Sequence, residues 1–318
     1  MDRLAHIREI LGEPYYERDG CLVYNRDCIE SLDRLEASCK EQRSALFDLT
    51  VTSPPYNIGK EYETVKPLDE YLDWCGRWMR GIHALTRPQG SFWLNVGYVS
   101  VPGKGNAVPL PYLLYNRCPF FLHQEVVWHY GAGVACKRQF SPRNEKLLWY
   151  VKDATHYTFN LDDVRDPNVK YPNQRKNGVL RCNPLGKNPT DVWDIPKVTS
   201  GRGRASAERT PHPAQFPEAV IERVIRASSD RGDLVLDPFL GSGTTAKVAL
   251  EHGRLVVGFE LDRGYCDIIV KRLRGYATEC VPDGSPLQDG AAGESSAGSG
   301  AGSGRSKRKR PSSDSSTA

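Results

Sequence analysis

The sequence predicts a doubly wound α/β domain with a mostly parallel sheet, and three observations carry that expectation. Two short apolar runs, Ala45-Leu46-Phe47-Asp48-Leu49-Thr50-Val51 and Leu234-Val235-Leu236, end abruptly in loops rich in proline or glycine, the pattern of buried strands. From Leu234 onward the chain reads as a strand, a glycine turn, a helix through Lys247-Val248-Ala249-Leu250 and a second strand from Arg254 to Phe259. At 318 residues, it has core enough for one large α/β domain plus an insertion.

The first run opens onto Thr52-Ser53-Pro54-Pro55-Tyr56. Proline fixes φ and donates no backbone hydrogen, so the carbonyls around Pro54 and Pro55 are expected to point outward as unopposed acceptors. With the Ser53 hydroxyl and the Tyr56 ring beside them, they make a corner suited to a flat polar ring bearing an exocyclic amine. A Pro-Pro-Tyr after a strand is also an ordinary loop, so the binding reading needs a partner motif.

That partner is Asp237-Pro238-Phe239-Leu240-Gly241-Ser242-Gly243-Thr244-Thr245-Ala246. Glycines permit a tight turn and close backbone approach, and a helix N-terminus favours a negative group. Glu260 stands roughly 20 positions beyond the first glycine, where an acid accepts hydrogen bonds from ribose hydroxyls. These residues describe a nucleoside-cofactor pocket. They fit the Rossmann dinucleotide fingerprint too, so a nicotinamide-dependent oxidoreductase stays open here, although it leaves Ser53 to Tyr56 unexplained.

Taken as a pair, Asp-Pro-Phe-Leu-Gly-Ser-Gly-Thr-Thr and Thr-Ser-Pro-Pro-Tyr resemble the amino-methyltransferases of DNA from bacterial restriction–modification systems. The order, catalytic motif first and cofactor motif last, is similar to the permuted beta group of that family, and the resemblance spans residues 20 to 275. It implies a circularly permuted class I methyltransferase fold with a DNA-recognition insertion. The implied divisions are an N-terminal extension (1–20), a catalytic half (21–160), a target recognition insertion (161–209), a cofactor-binding half (210–280) and a basic tail (281–318). Gly90 to Gly97, after a helical stretch from Leu68 to Leu85, and Asn144 to Val151 are the further strands it implies.

The resemblance also assigns roles. Ser53, Pro54, Pro55 and Tyr56 are the implied catalytic residues. S-adenosyl-L-methionine is the implied cofactor, contacted by Asp27, Asp237, Pro238, Phe239, Gly241, Gly243, Thr244 and Glu260, with His212 in the segment flanking its methionine end. The family usually carries a lysine where Phe216 stands, so no charged contact is expected from that loop. In this family Ser-Pro-Pro-Tyr more often accompanies cytosine N4, whereas Asp or Asn in the first position accompanies adenine N6. The implied partner is double-stranded DNA, for a monomer or homodimer acting alongside a cognate restriction endonuclease.

The chemistry agrees with an exocyclic amine. Methylation of cytosine at carbon 5 needs covalent attack by a Pro-Cys nucleophile, and no Pro-Cys dipeptide occurs in the chain. Transfer to an exocyclic nitrogen proceeds by in-line displacement, in which the protein mainly positions and polarises. A duplex base reaches such a pocket only by extrusion, with Tyr56 replacing the lost stacking.

A net charge of only +4 requires the DNA-gripping surface to be local. Arg165, Lys170, Arg175, Lys176, Arg181, Lys187, Lys197, Arg202, Arg204 and Arg209 outnumber the acids of the same stretch, and Lys137, Arg138 and Arg143 form a second basic edge. Long basic loops suit phosphate contact and base reading, while the bland alternative is a solvated, poorly ordered insertion. Within it, Asn188 to Pro196 is expected to dock on the scaffold through Trp193. A non-catalytic DNA-binding module would use the positive stretch but has no need of two pockets. Beyond Asp283 the Gly/Ser/Ala-rich chain with Arg305 to Arg310 is expected to be disordered. No apolar run spans a bilayer and Met1-Asp2-Arg3 opens no signal peptide, so a cytoplasmic location is expected. Nine cysteines without a Cys-x-x-Cys pair point to reduced thiols and no metal site.

Overall fold

The computed structural model describes residues 2–279 apart from positions 43, 134 and 201–205, so Arg202, Arg204 and the basic tail 281–318 lie outside the described residues. The chain begins α1 (Arg3–Leu11), β1 (Tyr16–Arg18), β2 (Cys21–Asn25), α2 (Cys28–Gln42), β3 (Phe47–Thr52), α3 (Leu68–Leu85) and β4 (Thr86–Val96). A hairpin of β5 (Tyr98–Val101) and β6 (Gly105–Pro109) leads to the short α4 (Leu110–Leu114), then β7 (Phe121–His129) and β8 (Asn144–Val151). The insertion holds β9 (Arg175–Lys176), β10 (Val179–Leu180) and β11 (Val192–Asp194). It is followed by α5 (Glu218–Ser228), β12 (Leu234–Asp237), α6 (Thr244–Glu251), β13 (Leu255–Glu260) and α7 (Arg263–Glu279).

Nine strands form one sheet in the order β1-β2-β13-β12-β3-β4-β8-β7-β11. The five from β2 to β4 are mutually parallel, and β8 runs antiparallel to both β4 and β7. The last two strands of the chain are thus interleaved between two of the first. Residues on successive strand positions face opposite sides, as a period of two demands. On β3, Phe47 packs beneath α1, α2 and α3 with Ile7, Leu35 and Trp78, while Leu49 and Val51 pack beneath α5, α6 and α7 with Val224, Val248 and Ile269. Helices therefore cover both faces, as a doubly wound sheet requires. Residues 2–20 join this core, because Ile7 and Leu11 of α1 are fully buried in it.

Neighbouring β12 and β3 lead the chain outward in opposite directions, which makes their carboxyl ends the place where open α/β sheets bind ligands. There Asp237, inaccessible to solvent, accepts hydrogen bonds from the Thr52 hydroxyl at 2.6 Å and the Thr245 hydroxyl at 2.6 Å. The Phe239 N–H donates to it as well, at 3.1 Å. One carboxylate ties together two strand ends and the first turn of α6. At the opposite end, Asp48 accepts from Arg3, from Arg87 at 2.8 Å and from the Leu234 N–H at 2.8 Å, pinning α1, β4 and the start of β12 to β3.

The described part of the insertion carries hydrogen bonds at its two ends, while residues 171–185 are exposed apart from the half-buried Cys182. Asp166 and Lys187 exchange two backbone hydrogen bonds of 3.0 Å, and β11 adds itself parallel to β7 as the last strand. Trp193 is buried 5.8 Å from the Trp93 ring with the Arg223 guanidinium 4.9 Å above it, so it does anchor this segment to the scaffold. Among the described residues, no helix is long and apolar enough to cross a membrane.

Two expected outcomes follow from the two carboxylates. Asp48→Ala leaves three donors without their acceptor, so it should lower the free energy of unfolding by about 1–3 kcal/mol, read from urea denaturation; an unchanged midpoint would contradict the tie. Burial pushes the Asp237 carboxyl up to about 6 from an ordinary 3.8, so between those values the native chain binds a proton that the unfolded chain does not. Its contribution to stability is fully present below the lower value and is lost as pH rises through the upper one. The stability of the wild type relative to Asp237→Asn should therefore rise as pH falls from 7 to 5, and a flat or falling difference would refute the assignment.

Candidate active site

A cavity of about 890 Å³ opens at the carboxyl ends of the parallel strands, with Ser53 to Tyr56 on one wall and Pro238 to Ser242 on the other. The two motifs, nearly two hundred positions apart, share it because the Thr52–Asp237 hydrogen bond joins their strands. Asp27, Pro238, Phe239, Gly241, Glu260 and His212 also line the cavity. Asp237, Gly243 and Thr244 do not. They are buried behind the turn, where Asp237 binds the two threonines, Gly243 caps α6 at φ 76°, and the Thr244 hydroxyl accepts from Arg272 at 2.8 Å. A tight turn cannot aim every residue inward, so these three shape the wall that the others present.

At the glycine end, Gly241 takes φ 52°, and a Cβ there would stand 3.2 Å from the His212 ring. Only glycine meets both demands. The Gly241 N–H donates to Glu260 Oε2 at 2.8 Å and the Asp262 N–H to Oε1 at 2.8 Å. Each oxygen retains acceptor capacity, and burial raises the Glu260 pKa. Asp27 caps α2, its Oδ1 accepting from the Ile29 and Glu30 N–H groups at 2.9 and 3.0 Å. The His212 Nδ1 accepts from the Ala214 N–H, and its ring packs edge-on to Tyr265 at 4.4 Å and parallel to Tyr62 at 6.0 Å. Burial lowers its pKa to about 4, which leaves a neutral imidazole at pH 7. Tyr62 arrives on a loop closed by Glu63, whose carboxylate accepts from the Asn57, Ile58 and Lys60 N–H groups at 2.7–3.0 Å.

At the other end, the Tyr56 hydroxyl lies 3.0 Å from Ser53 Oγ, 3.2 Å from the Asn95 carbonyl and 3.3 Å from Glu145 Oε2. Burial, then the Glu145 charge, raises the Tyr56 pKa well above its ordinary value, so the phenol stays protonated. Its ring rests against Gly97, where a Cβ would stand 3.2 Å away. The two proline carbonyls are not equivalent, contrary to expectation. Pro55 accepts from the Tyr71 hydroxyl at 2.8 Å, whereas no hydrogen bond reaches the Pro54 carbonyl among the described residues. Glu145 Oε1 accepts from Lys197 Nζ at 2.6 Å, and that ammonium lies 3.9 Å above the Tyr130 ring. Trp128, Tyr130 and Tyr98 complete this wall.

Sequence reasoning missed Glu145, Asn95 and Tyr62, and treated Lys197 only as one charge among many. The available signal was position: β8 is antiparallel, so its polar first residues fall beside the carboxyl ends of the parallel strands. The basic residues occupy the rim and beyond. Lys137 and Arg138 are exposed and Arg143 half-buried on the loop whose Pro142 lines the cavity. Arg175, Lys176 and Arg181 are exposed on the insertion, and Lys187 is paired with Asp166 at 3.0 Å. Among the described residues, no cluster of His, Cys, Asp and Glu could hold a metal ion.

Comparison with known proteins agrees with this arrangement. Residues 47–271 match the N6/N4 methylase family, described as DNA methylase. The type II methyltransferase M.ScaI of Streptomyces caespitosus is 60% identical over 275 residues, covering 86% of this chain and 88% of that protein. The DNA adenine methyltransferase YhdJ of Escherichia coli K12 is 34% identical over 247 residues, covering 74% and 79% respectively. Among solved structures, the cytosine-N4-specific PvuII DNA methyltransferase superposes with a TM-score of 0.64 at 22% identity, covering 83% of this chain and 89% of that one. With both motifs on one cavity and the family match spanning both, the chain belongs to the N6/N4 DNA methylases.

Proposed function

We propose that this protein transfers the methyl group of S-adenosyl-L-methionine to the exocyclic N4 amine of a cytosine extruded from duplex DNA, as the modifying partner of a cognate restriction endonuclease. The observation that carries the reading is the single cavity in which Ser53 and Tyr56 face Gly241 and Glu260. When bound, S-adenosyl-L-methionine supplies an electrophilic methyl on a sulfonium. Glu260 and Asp27 offer acceptors for its ribose and adenine end. The neutral His212 and the phenyl ring of Phe216 bring no competing positive charge to the wall beside the cation.

The chain's own residues then have a positioning task. Ser53 Oγ and the open Pro54 carbonyl accept the two amine hydrogens, which draws the nitrogen lone pair out of conjugation with the ring. As the nitrogen bonds to the methyl carbon the carbon–sulfur pair stays with the sulfur, and the surplus proton of the methylated, now acidic amine passes to water, so no acid or base of unusual pKa is needed and holding the reactants in line supplies most of the catalysis. Tyr56 lies where it can stack on the extruded base. The exposed basic residues at Lys137, Arg138, Arg175, Lys176 and Arg181 suit phosphate contact around the gap.

Cytosine is favoured by the serine that opens the Ser53-Pro54-Pro55-Tyr56 motif. Adenine N6 is the second reading, favoured by the likeness to YhdJ. Incubation with random-sequence duplex DNA and labelled cofactor should yield N4-methylcytosine at one recurring site. N6-methyladenine as the sole product would overturn the base assignment, and unlabelled DNA the whole reading.

The two ends of the cavity should separate under mutation. Tyr56→Ala should lower kcat by about 10- to 100-fold, the range that loss of one stacking platform covers, while leaving cofactor affinity unchanged by calorimetry. Glu260→Ala should do the converse, weakening cofactor binding by about 10- to 100-fold through loss of charged hydrogen bonds. Full activity in Tyr56→Ala would remove it from the transfer step.

A further inference from the structure

We propose that Glu145 is a positioning residue that sets the proton order of the Ser53–Tyr56 hydroxyl pair, and that Lys197 holds it in that role. The inference rests on the reading of Ser53 as acceptor for the substrate amine. A serine hydroxyl has one proton and two lone pairs, a tyrosine likewise one proton. Placed 3.0 Å apart, the two can donate in either direction, and only one direction leaves both Ser53 lone pairs open to an amine N–H.

The surroundings choose that direction. The Tyr56 proton faces two acceptors, the Asn95 carbonyl at 3.2 Å and Glu145 Oε2 at 3.3 Å. Every described hydrogen-bond partner of the Glu145 carboxylate is a donor: Lys197 Nζ at 2.6 Å and the Tyr130 hydroxyl at 3.4 Å on Oε1, the Asn95 amide at 3.2 Å and Tyr56 itself on Oε2. So placed, the ionised carboxylate draws the Tyr56 proton outward, since a charged acceptor holds a hydrogen bond about twice as strongly as a neutral one. Ser53 then gives its proton to the Tyr56 oxygen, and its lone pairs stay open to the amine. Lys197 comes from the segment just after β11, so the insertion's return to the scaffold reaches the reacting corner through one ion pair.

The isosteric substitution Glu145→Gln tests this sharply. Lys197 and Tyr130 require the amide oxygen on their side, which turns the amide nitrogen towards Tyr56 and Asn95. A donor then competes for the Tyr56 oxygen, and the Ser53 proton loses its fixed acceptor. The experiment is a double-mutant cycle on methyl transfer to duplex DNA with Tyr56→Phe, which removes the hydroxyl through which Glu145 acts. In the wild-type background, E145Q should lower kcat by roughly 10-fold, within the range of coupling between contacting residues, with the cofactor dissociation constant and the KM for DNA unchanged. In the Tyr56→Phe background it should cost nothing further. Equal losses in both backgrounds would assign Glu145 a merely structural role and overturn the proposal.

Lys197→Met extends the cycle. Added to E145Q, it frees the amide to turn its oxygen towards Tyr56 and should restore part of kcat; absence of any rescue would also count against the proposal. If E145Q does not yield folded protein, Lys197→Met alone in the same cycle reads the same coupling, again overturned by additivity. A wild-type protein that methylates no DNA would defeat the functional reading itself, whereas active wild type with additive losses would defeat only the role of Glu145.

Discussion

The buried Asp237 carboxylate is the constraint on which the arrangement rests. It is removed from water, and three donors from three segments offset the cost of that burial. Because those donors come from the end of β3, from the turn after β12 and from the first turn of α6, satisfying one group sets the relative positions of two loops that the chain builds far apart. Ser53 follows Thr52 and Pro238 follows Asp237 directly, so the walls of the cavity start from the same hydrogen-bonded point. Gly241 and Gly243 then take positive φ without strain, which lets the turn fold back against Glu260 and His212.

The cavity divides into two electrostatic regimes. Its glycine end is walled chiefly by acceptors and aromatic rings, with His212 neutral, Lys247 drawn away into an ion pair with Glu218 and Arg26 donating to the Leu11 carbonyl, while Lys60 also lines the cavity. That composition tolerates a cation. The far end holds the Lys197 ammonium against Glu145 and the Tyr130 face, where it is fixed rather than free to roam. The division follows from the sheet: the acid that ends β13 lies two strands to one side of β3, and the polar start of β8 lies two strands to the other.

Much of this was legible in the chain before any coordinates. Apolar runs bounded by glycine or proline marked β3, β12 and β13, and the ends of α3 and β8 coincide with the expected Leu68 to Leu85 and Asn144 to Val151. Family resemblance brought both walls of the cavity together on paper. What stayed hidden had separate causes. β7 mixes exposed and buried positions near one edge of the sheet, so it lacks the unbroken apolar signal of a central strand. Contiguity in the glycine motif suggested that Asp237 and Thr244 face the ligand, whereas a tight turn alternates between lining a pocket and bracing it. The pairing of Glu145 with Lys197 joins residues 52 positions apart, and a single acid in a strand carries no mark of what lies opposite.

The interleaving of β12 and β13 between β2 and β3 has a consequence for biosynthesis. A ribosome releases β2 and β3 long before the two strands that separate them, so the nascent sheet cannot close until nearly the whole domain has emerged. Such late, long-range pairing is slow and leaves edges exposed in the meantime. It also means that the glycine wall is the last part of the cavity to form, and a truncated translation product ending before Leu234 would hold the Ser53–Tyr56 corner with no opposite wall.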